Sequence, residues 1–269
     1  IFTVFRIPNS MRKLLAEGAL SSAYIPELSR QLIEDSSGKK ASLLTSNILA
    51  LLLIIAVPLT LLFIIFPGTA INLLSEFDDP SKTALATRLL PYMITYIFWV
   101  SISALFMGVL NSHNRFFIPA ITPVLFSLAV ISSILFFHKT LGPFSMALGV
   151  IAGGIAQILI QIRPFKRLGY SLKPDFNFNS EEFRRVMVRW IPILLSSSLF
   201  SINQFVAGIF ATMLEEGSVT AMEFAVTFWQ LPFGLFVNSL ITVTYPKMSR
   251  QAAALDQQGL RDTLYLGWK

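Results

Sequence analysis

The sequence predicts an all-α integral membrane protein: a polytopic helical bundle of about seven spanning helices, in a two-lobed transporter fold with a parallel internal repeat. Three observations carry that prediction. Only 13% of the 269 residues are charged against 54% hydrophobic, where a soluble domain carries about 25% charged residues. The charged residues leave six long silent runs, and the connections between those runs alternate in sign. A short segment near the start also recurs near the end of the chain.

The leading segment, residues 1–33, is the least apolar crossing. Pro8 suits a helix N-terminus, so Arg6 to Asn9 reads as the junction of a preceding helix. From there Asn9, Arg12, Lys13 and Glu17 recur on one helical face, opposite Met11, Leu14, Leu15 and a run of small residues. This crossing ends on the inside near Arg30, which puts Arg12 and Lys13 in its outer half. The chain opens on Ile-Phe-Thr without a signal sequence and reads as an internal piece of a longer protein.

The silent runs follow in order: Ala41–Ser75, Leu89–Asn114, Phe116–His138, Thr140–Ile162, Trp190–Leu214 and Phe224–Pro246. Five hold 23 to 26 residues, and the first, at 35, is trimmed to Leu43–Phe66 by the Pro67-Gly68 breaker. About 20 apolar residues span the hydrocarbon as a helix, whereas a barrel strand needs only about 9–11 with alternation. Each run is therefore one spanning helix. Lys82, Arg88 and Lys139 are the only three of 21 basic residues outside the leading segment and one set of alternate connections. The positive-inside rule makes that set cytoplasmic. It also accounts for the net charge of +6, so no nucleic-acid partner is expected.

Tyr24-Ile-Pro-Glu-Leu-Ser-Arg-Gln31 matches Thr244-Tyr-Pro-Lys-Met-Ser-Arg-Gln251, and the proline upstream, Pro8, has a counterpart in Pro232. Six crossings separate the copies, so both run the same way through the membrane. A parallel duplication is a transporter architecture with substrate between the halves.

Ionisable groups inside the membrane are costly and mark functional sites. The shared face of Arg12, Lys13 and Glu17 fits a basic lining for an anionic substrate, with arginine suited to forked phosphate contacts. A pairing of Lys13 with Glu17 and snorkelling of Arg12 is the structural alternative. Gln157, Gln161, Asn203, Gln204, Gln230 and Asn238 read as interhelical glue, and Gly108 and Gly153-Gly154 as close-packing sites. With no cysteine, two isolated histidines and no phosphate loop or nucleophile elbow, neither an enzyme, a cofactor nor a metal site is expected.

Arg6-Ile-Pro-Asn-x-x-Arg12-x-x-x-Ala-Glu-Gly-Ala19, followed by Ser22-Ala-Tyr-Ile-Pro26, resembles the MurJ/MviN family. So do Gly108-x-Leu-Asn-x-x-Asn-Arg115-Phe-x-Ile-Pro119-Ala, Gly217-Ser-Val, and Leu231-Pro-Phe-Gly234 through Pro246-x-Met-Ser-Arg250. The resemblance runs the whole length and places the chain at helices two to eight of fourteen. It implies residues 1–168 as the rest of an N-terminal lobe, 169–189 as a cytoplasmic connection and 190–269 as the start of a C-terminal lobe. It implies a lipid II flippase of the bacterial plasma membrane, carrying the undecaprenyl-pyrophosphate-linked peptidoglycan precursor between leaflets by alternating access. Membrane lipids and cell-wall synthesis proteins are the implied partners. Arg12 falls on a cavity arginine of the family, and Lys13, Asn9, Glu17 and Arg6 complete the candidate cavity set. One departure stands out. Val226-Thr227 replaces the Asp-Arg pair that the family carries on its eighth helix. Beside a divergent flippase that binds pyrophosphate with fewer cations stand two alternatives: an exporter of another polyprenyl-linked oligosaccharide, or a non-transporting membrane scaffold.

Overall fold

The computed structural model describes residues 2–12, 19–35, 37–74, 79–215, 217–237, 251 and 257–266. These residues form two compact units, Ile1–Leu214 and Glu215–Lys269, and their regular elements are all helical.

In the first unit, α1 (Phe2–Arg12) runs straight through Pro8 instead of beginning there. A proline inside a helix loses one hydrogen bond, and close neighbours in an apolar bundle make that loss tolerable. Helix α2 (Ala19–Glu34) follows. Asp35 then builds the turn into the next helix. Its carboxylate accepts from Ser37 N and Oγ and from Lys40 N at 2.6–3.0 Å, and these bonds hold its pKa below the usual carboxylate range. The long helix α3 (Lys39–Ile65) stops one residue before the Pro67-Gly68 breaker, as expected.

The connection between the trimmed first run, Leu43–Phe66, and the run that opens on Leu89 is largely helical. It holds α4 (Pro67–Leu74) and the first turns of α5 (Pro80–Ile94), which Asp79 caps by accepting from Ser81 N. Helix α6 (Tyr96–Ser112) continues α5 after a break at Thr95. There the hydroxyl donates to Tyr92 O at 2.7 Å, a local bond that competes with the helical ladder. Helices α7 (Phe117–Leu141) and α8 (Phe144–Arg167) form a tight hairpin. After the irregular stretch 168–180, α9 (Glu181–Thr212) starts at Ser180, whose hydroxyl accepts from Phe183 N. Among the described residues, four stretches are long and apolar enough to cross a membrane: Lys39–Ile65, Pro80–Ser112, Phe117–Leu141 and Phe144–Arg167.

Small residues set how closely these helices approach. A Cβ on Gly149 would stand 2.7 Å from Val130 Cα, and one on Gly153 would stand 2.7 Å from the Phe126 ring. Both lie on the α7 side of α8. Gly154 faces Trp99 of α6, and Gly108 of α6 receives the Tyr24 ring of α2. In lipid, where helices gain little by hiding apolar surface from one another, such close packing is the main attraction. Of the predicted amides, Gln161 acts as interhelical glue. Gln161 Nε2 of α8 donates to Ser103 Oγ of α6 at 2.7 Å, and Tyr24 Oη shares a 2.7 Å bond with Thr45 Oγ1 of α3. Outward faces are apolar, including Val124, Leu128, Ile131 and Leu135 of α7. So large an exposed apolar face suits a lipid solvent.

In the second unit, Gly217 takes φ +100° ahead of α10 (Ser218–Pro232). This helix passes into a π-helical turn, Phe233–Val237, and a short helix, Gln257–Leu266, lies nearer the C-terminus. The second copy of the repeat falls almost wholly outside the described residues.

Candidate functional site

Helix α1 presents two faces. Val4, Ile7 and Pro8 are buried, and Phe5 lies 6.3 Å from the Tyr96 ring of α6 and 6.5 Å from the Phe126 ring of α7. These contacts anchor the helix. The other face carries Arg6, Asn9 and Arg12, all half-buried, at successive intervals of three residues. Arg12 Nε donates to Asn9 Oδ1 at 3.1 Å, a bond that orients the guanidinium along the helix.

Arg6 reaches α9. A Cβ on Gly208 would overlap Arg6 Nη1 and stand 2.8 Å from Cζ, so the glycine is what admits the guanidinium against that helix. Beside this strip Met11 faces an apolar cavity of about 790 Å³, shared with Phe63 and Phe66 of α3, Leu74 of α4, and Ile202 and Val206 of α9. Phe66 lies at the end of α3 farthest from Lys39, which agrees with the outer-half position expected for Arg12. The chemistry on offer is that of two cations on one helical strip next to apolar surface. Such an arrangement is chemically suited to an anionic group joined to a hydrocarbon.

Of the five predicted site residues, the structure brings Arg6, Asn9 and Arg12 together. Lys13 and Glu17 lie outside the described residues. Thr227 of α10 donates its hydroxyl to Glu223 O of its own helix at 2.8 Å. Among the described residues, no group of three or more metal-ligating side chains occurs.

Sequence reasoning missed a second polar cluster at the opposite, basic end of the bundle. Glu27 of α2 is 0% exposed. Its Oε1 accepts from Arg30 Nη2 at 2.8 Å and from Gln31 Nε2 at 3.0 Å, and Arg185 Nη1 of α9 stands 3.8 Å away. Lys40 pairs with Glu182 at 3.5 Å, and Asn47 Nδ2 donates to the carbonyls of Asp175 and Asn177. Together these bonds fasten α2 and α3 to α9 and its preceding connection. The repeat did contain a signal for this cluster, because Glu27 in the first copy is answered by Lys247 in the second. His113, at the end of α6, bonds Tyr170 Oη at 3.0 Å. Burial first, then the nearby Arg115 charge, lowers the His113 pKa below 6.5, and burial pushes the Tyr170 hydroxyl up to about 12.

Comparison with known proteins follows the same lines. The family model described as lipid II flippase MurJ matches residues 1–269. A probable lipid II flippase MurJ of Borreliella burgdorferi is 35% identical over 254 residues, which is 93% of this chain and 49% of that protein. The corresponding protein of Treponema pallidum is 30% identical over 276 residues, 98% of this chain and 51% of its own. A solved structure titled lipid II flippase MurJ, inward closed conformation, superposes with a TM-score of 0.76 at 25% identity, covering 98% of this chain and 54% of that one. The chain thus spans about half the length of the relatives it matches.

Proposed function

Because the chain belongs to the lipid II flippase MurJ family, we propose that its whole protein carries the lipid-linked peptidoglycan precursor from the inner to the outer leaflet of the bacterial plasma membrane. The observation that carries this reading is the Arg6–Asn9–Arg12 strip of α1, half-buried among apolar helices beside the 790 Å³ cavity. A diphosphate between two membrane leaflets needs cations that are already desolvated and oriented. Arg12 is held by Asn9 and Arg6 is seated on Gly208. Arg12 takes the role of primary diphosphate contact and Arg6 that of a second cation at the α1–α9 seam. Lys13 and Glu17, next on the same sequence face, belong to the proposed cavity set.

Alternating access supplies the movement. The proposed lobes are residues 1–168 and 190–269, joined by 169–189. The Glu27 cluster then ties α2 to α9 across their seam at the cytoplasmic end, and it must part for the precursor to enter from that side. No catalytic step is assigned. The undecaprenyl-pyrophosphate-linked precursor is the proposed substrate, and cell-wall synthesis proteins are the proposed protein partners. A second reading, export of another polyprenyl-linked oligosaccharide, is favoured by Val226-Thr227, which leaves α10 without a cation where the family's arginine stands.

The test is growth rescue of a bacterium depleted of its own lipid II flippase. Loss of a charged hydrogen bond to phosphate costs about 1.5–3 kcal/mol. Arg12→Ala should therefore rescue roughly ten- to a hundredfold less well than wild type at equal membrane levels, with Arg12→Lys in between. Full rescue by Arg12→Ala would remove the strip from the mechanism.

A further inference from the structure

The first three turns of α9 carry Glu181, Arg184, Arg185, Val188 and Arg189 at spacings of three and four, and these residues enclose a depression of about 260 Å³. Their charges do not cancel. Glu181 is engaged by Arg185 at 2.7 Å, and Arg185 also faces Glu27. Arg184 and Arg189 are exposed and have no ion-pair partner among the described residues. The depression therefore holds two guanidinium groups in excess.

Depth in the membrane follows from the neighbours. The Lys40–Glu182 pair levels the first turn of α9 with the start of the α3 span. Arg189 lies seven residues farther along, about 10 Å by helical rise, and is the last charge before the silent run that opens on Trp190. From that depth the long Arg189 side chain snorkels back to the headgroup level, while Trp190 is turned into the bundle. The same face then turns apolar while staying open: Val188 is 64% exposed, Ile191 51% and Leu195 62%. It ends at Ile202, on the rim of the larger apolar cavity.

A basic cradle at headgroup depth, leading straight into an apolar stripe at hydrocarbon depth, matches one amphiphile end to end. We propose that α9 binds an anionic phospholipid of the inner leaflet. Its phosphodiester sits between Arg184 and Arg189, and an acyl chain lies along Val188, Ile191 and Leu195. The planar guanidinium matches phosphate oxygens by paired hydrogen bonds. An acidic peptide would match the arginines but would find no partner on the apolar stripe below. The site is separate from the Arg6–Asn9–Arg12 strip and does not depend on which precursor the protein carries.

The experiment uses the whole protein in neutral detergent and measures retained lipid by native mass spectrometry during titration with phosphatidylglycerol or phosphatidylcholine. Phosphatidylglycerol should bind in preference. Each surface arginine contributes on the order of fivefold to binding an anionic lipid. Arg184→Ala/Arg189→Ala should thus weaken phosphatidylglycerol by roughly 25-fold, leave phosphatidylcholine unchanged and preserve the unfolding midpoint. Arg184→Lys/Arg189→Lys, which keeps the charge if the alanine variant folds poorly, should restore most of the preference. Equal phosphatidylglycerol binding by wild type and Arg184→Ala/Arg189→Ala, or no preference of wild type for phosphatidylglycerol over phosphatidylcholine, would overturn the proposal. So would arginine-dependent binding of undecaprenyl diphosphate with none of phosphatidylglycerol, which would assign the stripe to the substrate path instead.

Discussion

Gly208 decides where the Arg6 charge sits. Any side chain there meets the far end of a flexible arginine, so Gly208→Ala should displace the guanidinium without breaking the helix. Alanine also favours a helix interior by about 1 kcal/mol over glycine. The expected result is an unfolding midpoint equal to or above wild type, with precursor transport reduced severalfold; unchanged transport would show that the Arg6 position is immaterial. His113 supports a different prediction. Its pKa is lowered in the fold, so the folded state holds a proton less readily than the unfolded chain. The associated stability is present above pH 6.5 and is lost as pH falls through the folded value. The thermal midpoint should drop between pH 7 and pH 5, and His113→Gln, which keeps a polar partner for Tyr170 but does not titrate there, should flatten that drop. An equal fall in both proteins would place the acid sensitivity elsewhere.

At the scale of elements, the basic end is fastened by a carboxylate that no solvent reaches. Removing one partner from a buried ion pair is strongly destabilising, but Arg30 and Arg185 are only partly buried and each has a second carboxylate nearby. Glu27→Ala should therefore lower stability by about 1–3 kcal/mol, whereas Glu34→Ala, at the exposed end of the same helix, should have little effect. Equal effects would mean that burial of Glu27 adds nothing to the tie. The silent runs located α3 and α6 to α9 because apolar length is a direct imprint of the bilayer. They did not reveal that α9 begins nine residues earlier, at Glu181, since charged turns at the membrane surface look like connection in a charge count. Helical structure in 67–88 was hidden because the Pro67-Gly68 breaker cut α4 off from the first run, and because Asp79, Lys82 and Arg88 interrupt the apolar pattern of α5 without interrupting its backbone.

Across the whole molecule, the sequence motif and the structure meet on α1. Asn9 and Arg12 were legible because polar residues at helical spacing stand out in an apolar chain, whereas Arg6 joined them only through the family resemblance. Continuity through Pro8 was not, because whether a proline ends a helix depends on neighbours that a single strand of sequence does not display. Gly208 and Glu27 were illegible as sites for a related reason. A lone glycine and a lone carboxylate acquire meaning only from what another helix brings to them, here Arg6 and Arg185. The central claim is that the α1 cations carry a lipid-linked diphosphate across the membrane. Its most direct measurement is the amount of lipid II accessible in the outer leaflet of cells that depend on the whole protein, with wild type and Arg12→Ala at matched membrane levels. The account predicts normal outer-leaflet lipid II with wild type and a roughly tenfold or greater loss with Arg12→Ala, with precursor accumulating inside. Undiminished outer-leaflet lipid II with Arg12→Ala would contradict it.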